Sequence, residues 1–451
     1  MEEEFLSDGT HRSHSASGIL YATDCYVQTL LIAEKTGFEI DESFSSHTRK
    51  IALRLAQLSP PDLILPQFND CDGGSLCGFG LGPRDAAPAL QAVAELFEDV
   101  VFPDGDRIGA GWALWMTGMT DESVFNAGEG LSRASVSTAI IDLSGADRRI
   151  QPGFICHKNA HGDYLLVRCQ SIEQELSSAH DAPGGFTLYL NRRPVIVDNG
   201  TGTFTLAEER ECFRSARGKN TLLVDGQGPS KQEGLFNWNE FCPVRLMSCK
   251  EFDGGFYVLL RSDGFSRVCG FSVETEREII MLDEGLVMLV DSWTSAREID
   301  ASLELTVTPE LQISRSGRMI FEEDGALFHY LISPQFAVLD DSDEANPEDS
   351  DNGEDSAAET ERPAASDSPE MIRDIRFRPK IISRPFSPDY GIMGESPALV
   401  SEFRPSRSGT IVTIFSRIGP VKNTSDLARF RVGHENSERE LLIGAAGKIS
   451  P

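Results

Sequence analysis

Apolar residues recur at helical spacing through the first part of the chain. Ile19, Leu20 and Val27 lie on one face of a predicted helix over Ser17–Lys35, and a glycine at position 37 follows as a stop signal. Further helices are predicted over Ser43–Leu58, Asp85–Glu98 and Ala110–Met119. Two consecutive prolines after the second of these prevent its continuation. The pattern therefore predicts a mainly helical region at the start of the chain.

From about Ala134 onward the pattern changes to short apolar or alternating runs separated by Gly, Asp and Asn. Predicted strands include Ser135–Asp142, Tyr164–Cys169, Phe186–Leu190, Val195–Val197, Thr221–Val224, Val244–Glu251, Gly255–Arg261, Arg267–Thr275, Leu286–Ser292, Ala301–Thr308, Leu327–Ile332, Ala398–Pro405 and Gly409–Ser416. So many short strands with almost no helical periodicity predict a large antiparallel β-sandwich. We place the border between the two regions within 125–150.

One acidic segment interrupts the strand pattern. Residues 340–370 carry thirteen Asp and Glu against one arginine, without aromatic residues or an aliphatic run. Such a composition cannot bury enough apolar surface to order itself, so we predict that 340–372 is a disordered acidic insertion between two strands.

Bulk composition narrows the classes of partner. The net charge of −30 argues against nucleic acid or an anionic membrane. No apolar run is long enough for a transmembrane helix, and the acidic N-terminus lacks the features of a secretory signal. The nine cysteines are scattered without zinc-knuckle spacing, which favours free and mostly buried thiols.

The stretch from His180 to Val224 carries more polar reactive groups among predicted core strands than any other. Residues 192–219 hold six basic and four acidic side chains, a local positive balance within a strongly acidic chain. Such a patch is suited to a polyanionic ligand, whereas the alternative for each arginine is simple solvation at the surface. We therefore expect the functional site here.

This stretch also resembles the C-terminal signature of the heparinase II/III-like polysaccharide lyases. The matching pieces are Ala179-His180, Val197-Asp198-Asn199-Gly200-Thr201, Arg214-Ser215, Asn220-Thr221 and Val224-Asp225-Gly226. Three more pieces agree in the same order along the chain, namely Ser7-Asp8-Gly9-Thr10-His11, Phe68-Asn69-Asp70-Cys71-Asp72-Gly73 and Phe386-Ser387-Pro388-Asp389-Tyr390-Gly391.

The resemblance implies an α+β multidomain fold, a partial (α/α) helical toroid followed by a large antiparallel β-sandwich. In that fold residues 1–133 are the last helices of the toroid and residues 134–451 the sandwich. The family's helical domain usually has several more helices before the Asp-Gly-x-His segment, which begins here at residue 8. We therefore expect either an N-terminal truncation or a shortened domain.

The resemblance further implies β-elimination on a uronate-containing polysaccharide. The carboxylate beside C5 must be neutralised before a base, usually Tyr or His, removes the C5 proton, and an acid must protonate the leaving O4. Many family members also hold a metal, often zinc. Here His180 and Asp198 match two metal ligands, but Lys219 stands at the third ligand position and a charged lysine cannot coordinate a metal.

Other family positions are changed as well. The first His of the family pair is Ser178, the Tyr of the first helical motif is Gly18, and the aromatic residue after Gly-Thr is Phe204 without a phenol. The remaining groups have structural alternatives, because His180 can be a histidine bonded between strands and Asp198 can form an Asx turn. We also hypothesise that the Lys219 ammonium replaces the metal charge and pairs with Asp198 and His180.

These comparisons give two hypotheses for function. The first is a polysaccharide lyase acting on an acidic glycan, with the candidate catalytic residues His180, Arg214, Lys219, Asn220 and Tyr390, and the candidate substrate-binding residues His11, Arg192, Arg193 and Arg217. Arg214 and Lys219 would neutralise the uronate, and His180 or Tyr390 would transfer protons. The alternative is a glycan-binding homologue without catalysis, used in exopolysaccharide or cell-envelope assembly.

The expected partner is an acidic polysaccharide, of glycosaminoglycan or alginate type. The expected cofactor is either none or a zinc-type divalent metal bound by His180 and Asp198. Family resemblance favours the periplasm or cell envelope, and the absence of a signal leaves the cytoplasm as the alternative. The oligomeric state does not follow from the sequence.

Overall fold

The computed structural model describes residues 4–6, 9–74, 76, 82–97, 153–169, 177–242, 244–335, 379–403, 405–423, 429–432, 439–443 and 449–450. The predicted helix Ala110–Met119, the predicted strand Ser135–Asp142, the border between the two regions and the acidic segment 340–372 lie outside these residues. In the described part, none of the helices is both long and apolar enough to cross a membrane.

Within the described residues, three helices form the first layer, α1 (Ala16–Thr36), α2 (Glu42–Leu58) and α3 (Ala87–Leu96). The Ser15 hydroxyl caps α1 by accepting the Gly18 N–H at 3.2 Å, and Gly37 ends the helix in the left-handed region. The Asp41 carboxylate caps α2 in the same way. These are the predicted helices, with ends that differ by at most two residues.

The rest of the described chain is β-rich. Its elements up to residue 262 are β1 (Phe154–Lys158), β2 (Tyr164–Arg168), β3 (Phe186–Leu190), β4 (Arg193–Ile196), α4 (Ala207–Arg214), β5 (Thr221–Val224), β6 (Lys231–Glu233), β7 (Asn237–Glu240), β8 (Arg245–Phe252) and β9 (Gly255–Ser262). They continue with α5 (Phe265–Cys269), β10 (Val273–Leu282), β11 (Leu286–Ile299), β12 (Ala301–Thr306), β13 (Leu311–Ile313), β14 (Arg318–Phe321), β15 (Leu327–Gln335), β16 (Lys380–Phe386), β17 (Gly394–Glu402), β18 (Ser406–Ser416), β19 (Val421–Asn423), β20 (Arg429–Val432), β21 (Arg439–Ile443) and β22 (Ile449–Ser450).

The strands form antiparallel sheets stacked against one another. In the described residues an eight-stranded sheet has the order β13-β14-β15-β18-β11-β10-β9-β8. Three four-stranded sheets have the orders β1-β2-β3-β4, β16-β17-β12-β5 and β19-β20-β21-β22, and β6 pairs with β7. Apolar residues from the eight-stranded sheet, the β1–β4 sheet and the β16-β17-β12-β5 sheet share one core. Helices at the start of the chain followed by a large sandwich confirm the predicted fold class, a partial (α/α) toroid followed by an antiparallel β-sandwich.

The β1–β4 sheet is buried on both faces. Alternate residues such as Leu165 and Leu188 point into the sandwich core, whereas Phe154, Tyr164 and Tyr189 pack against the helices. This sheet therefore joins the helical layer to the sandwich through two continuous apolar cores.

Buried hydrogen bonds support the same junction. The Tyr164 hydroxyl donates to the Leu58 carbonyl at 2.6 Å, at the end of α2. Arg54, also on α2, donates to the Phe154 carbonyl at 2.7 Å and to the Thr10 hydroxyl at 2.9 Å. The end of the second helix is thus hydrogen-bonded directly to the first two strands.

Some predicted boundaries were wrong. The predicted strand Arg267–Thr275 is instead the short helix α5, a turn, and the start of β10. The helix α4 was not predicted, because its buried face consists mainly of Arg210, Phe213 and Arg214 rather than of an apolar stripe. Strand β1 and the β6–β7 hairpin were also missed.

Replacing Tyr164 by Phe tests the junction. The variant leaves the buried Leu58 carbonyl without this donor, so we expect a loss of about 1–2 kcal/mol in the free energy of unfolding, measured in urea. Tyr257→Phe is the matched control, because its hydroxyl bonds to Glu278 on a less buried face. Equal losses in the two variants would contradict a special role for the junction.

Candidate active site

A group of charged side chains meets where the helical layer reaches the sandwich. We call the polar cluster the set Asp70, Arg168, His180, Asp181, Asp198, Arg210, Arg214 and Lys219. These residues come from the loop after α2, the end of β2, the segment before β3, the loop after β4, and α4 with the turn that follows it. Glycines allow the close approach of these segments, as at Gly200 in the loop after β4, where a Cβ would lie 2.8 Å from Gln67 Oε1 in the loop after α2.

Asp70 is the hub of the polar cluster. Its carboxylate accepts hydrogen bonds from both terminal nitrogens of Arg210, with Nη2–Oδ2 at 2.6 Å, and from His180 Nε2 at 2.9 Å. Its side chain is 12% exposed, whereas those of His180 and Arg210 are fully buried. Sequence reasoning did not name Asp70 as a site residue, although the loop that contains it was part of the family resemblance.

Neighbouring Asn69 fixes the position of this loop. Its side-chain amide donates to the Ser13 and His14 carbonyls at 3.2 and 2.9 Å, and its oxygen accepts the His180 backbone N–H at 2.9 Å. Asn69 has a positive φ of 60°, a conformation that Asn tolerates better than most residues. The loop therefore connects the start of α1 to the segment before β3.

His180 is neutral in this environment. Burial, followed by the positive charges of Lys219 and Arg210, holds the pKa of the imidazole well below its usual range. A neutral ring that meets a carboxylate through Nε2 must donate its proton there, so His180 donates to Asp70. His180 is thus a buried structural donor and does not face an open cleft.

Lys219 and Asp198 form a buried ion pair. Lys219 Nζ lies 2.6 Å from Asp198 Oδ1 and 3.0 Å from the Gly200 carbonyl oxygen. Burial lowers the pKa of Lys219, and the Asp198 carboxylate opposes this shift. The hypothesis that the ammonium pairs with Asp198 agrees with this geometry, whereas His180 pairs with Asp70.

The proposed metal ligands do not assemble into a metal site. Asp198 is occupied by the lysine ammonium, and His180 Nε2 is directed to Asp70. Nowhere in the described ranges do three His, Cys, Asp or Glu side chains converge on one point. The residues present therefore do not fit a zinc-type metal, and we derive no chemical step from one.

Arg214 and Asn220 are also held by protein groups. Arg214 donates to the Leu235 carbonyl at 2.7 Å and to the Ala179 carbonyl at 3.2 Å, and its guanidinium lies 4.5 Å from the Trp238 ring centre. Asn220 donates to the Phe186 and Val197 carbonyls at 2.8 and 2.9 Å. Both side chains are buried, so neither contacts a ligand directly in this arrangement.

Aromatic residues and a few polar groups lie above the polar cluster. We call the rim the partly or largely exposed set His11, Ser13, Phe204, Phe236 and Tyr390, together with the edge of Asp70. The Arg210 guanidinium lies 4.9 Å from the Phe204 ring centre and 5.4 Å from that of Phe236. Tyr390 packs 4.7 Å from Phe204, whose backbone N–H donates to the phenolic oxygen at 3.3 Å.

Two predicted substrate-binding arginines lie elsewhere. Arg192 and Arg193 are at the β3–β4 turn, about 17 Å along β3 from the His180 segment at the usual rise per residue. Arg193 pairs with Asp324 and lies 4.9 Å from the Phe321 ring centre. Arg217 is exposed nearer the cluster and donates to the Gly226 carbonyl at 3.0 Å. The positive patch over 192–219 is therefore not continuous in space.

The polar cluster carries excess positive charge. It contains four cations, Arg168, Arg210, Arg214 and Lys219, against three carboxylates, Asp70, Asp181 and Asp198. Burial raises the pKa of Asp181 to about 7, so this carboxylate is only partly ionised near neutrality. A buried net positive charge attracts an anion to the surface above it, which here is the rim.

Comparison with known proteins places this geometry in a family context. The sequence profile described as Heparinase II/III-like, C-terminal matches residues 151–397. No curated protein matches the chain in sequence.

Solved structures share the fold across almost the whole chain. Heparan sulfate lyase HepC from Pedobacter heparinus superposes with a TM-score of 0.62 at 12% identity, covering 98% of this chain and 60% of that one. A gene product described as heparinase III gives 0.65 at 12% identity, covering 97% and 59%. Another heparinase III structure gives 0.62 at 13% identity, covering 98% and 61%. The chain thus spans about three fifths of the length of these structures.

Breaking the Lys219–Asp198 pair tests its structural role. Lys219→Met leaves a buried carboxylate without its partner, so we expect a loss of about 3–5 kcal/mol in unfolding free energy. The double variant with Asp198→Asn should recover part of this loss. A double variant no more stable than Lys219→Met, or one tightly bound zinc ion per wild-type chain, would contradict this interpretation.

Asp181 predicts a pH dependence of stability. Its folded-state pKa of about 7 is above its unfolded value of 3.8, so its contribution is fully present below pH 4 and is lost as the pH rises to about 7. Three pKa units correspond to about 4 kcal/mol. We expect Asp181→Asn to remove this pH dependence of the unfolding free energy. The stability of the variant relative to the wild type should therefore increase as the pH rises from 4 to 8. The control, Asp253→Asn in an exposed turn, should follow the wild type at every pH.

Proposed function

The chain belongs to the heparinase II/III-like family, and from this membership we propose that it is a polysaccharide lyase that cleaves an acidic, uronate-containing glycan by β-elimination. The observation that carries the proposal is the excess positive charge of the buried polar cluster beneath a partly aromatic rim. Positive charge favours a uronate carboxylate, and aromatic faces favour the C–H faces of a sugar ring.

In this proposal the buried cations do not contact the substrate directly. Arg210, Arg214 and Lys219 are enclosed, so their charges act on the carboxylate from below and favour the enolate-like transition state. The Tyr390 phenol is partly exposed at the rim. Because its oxygen accepts the Phe204 N–H, its own proton is available for the leaving O4.

The names of the solved structures support the substrate class. One of them is a heparan sulfate lyase, and heparan sulfate is a uronate-containing polyanion. We propose a polymer of this chemical class as the substrate. A strongly acidic protein surface with a local positive site would direct such a polymer to the rim.

A glycan-binding protein without catalysis is the second candidate. The Lys219–Asp198 pair favours it, since it occupies two of the three positions that the family resemblance assigns to metal ligands. Both candidates bind an acidic glycan at the rim, and only the lyase generates an unsaturated uronic product.

The discriminating experiment measures the ultraviolet absorbance of the unsaturated product during incubation with a panel of uronate polysaccharides. A steady rise with at least one polymer supports the lyase. Binding to a polymer without any rise supports the second candidate. Neither binding nor product formation on the whole panel would contradict both.

Replacing Phe236 by Ala tests the rim. Loss of one aromatic face should weaken glycan binding by about 1 kcal/mol, a roughly fivefold change in the dissociation constant measured by calorimetry. Phe252→Ala is a matched control, because both phenylalanines are 43% exposed and Phe252 lies at the end of the edge strand β8. Equal effects of the two substitutions would argue against binding at the rim.

A further inference from the structure

A serine and a histidine form a hydrogen-bonded pair on the rim, just before α1. The Ser13 hydroxyl oxygen lies 2.7 Å from His11 Nδ1, and the Ser13 backbone N–H donates to the same nitrogen at 3.2 Å. A backbone N–H can only donate, so Nδ1 is an acceptor and the proton of the neutral ring is on Nε2. The Ser13 hydroxyl therefore directs its proton to the imidazole.

The environment of the pair suits proton transfer. Burial lowers the pKa of His11, and the nearby Glu4 carboxylate, which accepts a hydrogen bond from Tyr26, partly opposes this. The ring is thus mainly neutral and able to accept a proton near neutrality. The Ser15 N–H, at the start of α1, donates to the Ser13 hydroxyl oxygen at 3.3 Å and would stabilise negative charge developing there.

The pair is connected to the polar cluster through its backbone. The Ser13 carbonyl accepts the Ser178 hydroxyl at 3.1 Å and the Asn69 side-chain amide at 3.2 Å. The Ser15 hydroxyl donates to the Asp70 carbonyl at 2.6 Å. His11 and Ser13 are partly exposed, so unlike the buried His180 they can be reached by a ligand on the rim.

Gly18 leaves the space that the pair needs. A Cβ at this position would lie 2.8 Å from the Ser13 hydroxyl oxygen and 3.1 Å from His11 Nδ1. Any larger side chain at position 18 would displace the pair. The Ser13–His11 geometry therefore depends on a glycine at position 18.

We propose that Ser13 and His11 are the proton-transfer pair of the site, with Ser13 as the group that meets the uronate. This proposal rests on the proposed lyase function. Ser13 Oγ accepts the C5 proton while its own hydroxyl proton passes to His11 Nδ1. The electrons of the C5–H bond form the C4–C5 double bond, the C4–O4 bond breaks, and O4 takes a proton from Tyr390 or water. The imidazolium then returns its proton to the Tyr390 phenolate or to the hydroxide that remains, and the site is restored.

The test compares His11→Gln, Ser13→Ala and Ser13→Thr in the full chain, with His161→Gln in an exposed turn as the control. We expect kcat to fall by about 100-fold to 10,000-fold in the first two variants with little change in KM. Ser13→Thr keeps a hydroxyl and should retain most of the activity. The acid limb of the pH profile, which reports His11 in the wild type, should disappear in His11→Gln.

Two further readouts keep the outcomes distinct. Nitrogen-15 spectra of the wild type should show His11 neutral at pH 7.5 with its proton on Nε2, and the opposite tautomer would overturn the pair without reference to activity. An active wild type whose kcat changes less than threefold in both His11→Gln and Ser13→Ala would overturn the pair and leave the lyase proposal intact. A wild type inactive on the whole panel would overturn both proposals.

Discussion

Burying charge between two layers is the constraint on which the rest of this site depends. Each ion taken out of water carries a penalty of several kcal/mol, which only close and well-oriented partners offset. Lys219 meets Asp198 and the Gly200 carbonyl, and Arg210 meets Asp70 in a two-pronged contact. These contacts bring together three separate chain segments, so the electrostatics of the site depend on how the helical layer packs against the sandwich.

The site therefore has two levels, one buried beneath the surface and one accessible to a ligand. The lower level contains the cations and His180, fully enclosed and bonded to protein groups. The upper level contains side chains that a ligand can reach, including Tyr390, Phe236 and the Ser13–His11 pair. In the proposed mechanism the buried charges act from below as a fixed field, and substrate contact and proton transfer take place at the rim.

Much of the fold could be predicted from local pattern, because amphipathic periodicity and capping residues are properties of neighbouring residues. The helices α1 and α2 and strands such as β3 and β5 follow this rule. The helix α4 does not, since its buried face uses arginines whose burial makes sense only beside Asp70 and Trp238. Family resemblance predicted His180, Asp198 and Lys219 as a group. It also included the loop that contains Asp70, but Asp70 is 110 residues from His180 in sequence, and the contact between the two side chains appears only in the structure. Arg192 and Arg193 are close to Asp198 in sequence, but the β3–β4 turn places them at the opposite end of β3 from the His180 segment.

The β1–β4 sheet has one more consequence. A sheet with a hydrophobic core on each face cannot act as a hinge, because rotating either layer would expose the core on that side. The helical layer and the sandwich therefore do not open and close by a hinge motion. A glycan bound as we propose would therefore meet a rim whose residues from the helical layer and from the sandwich keep a fixed spacing. On the sandwich side, the β6–β7 hairpin holds Phe236 against Arg210 and Trp238 against Arg214.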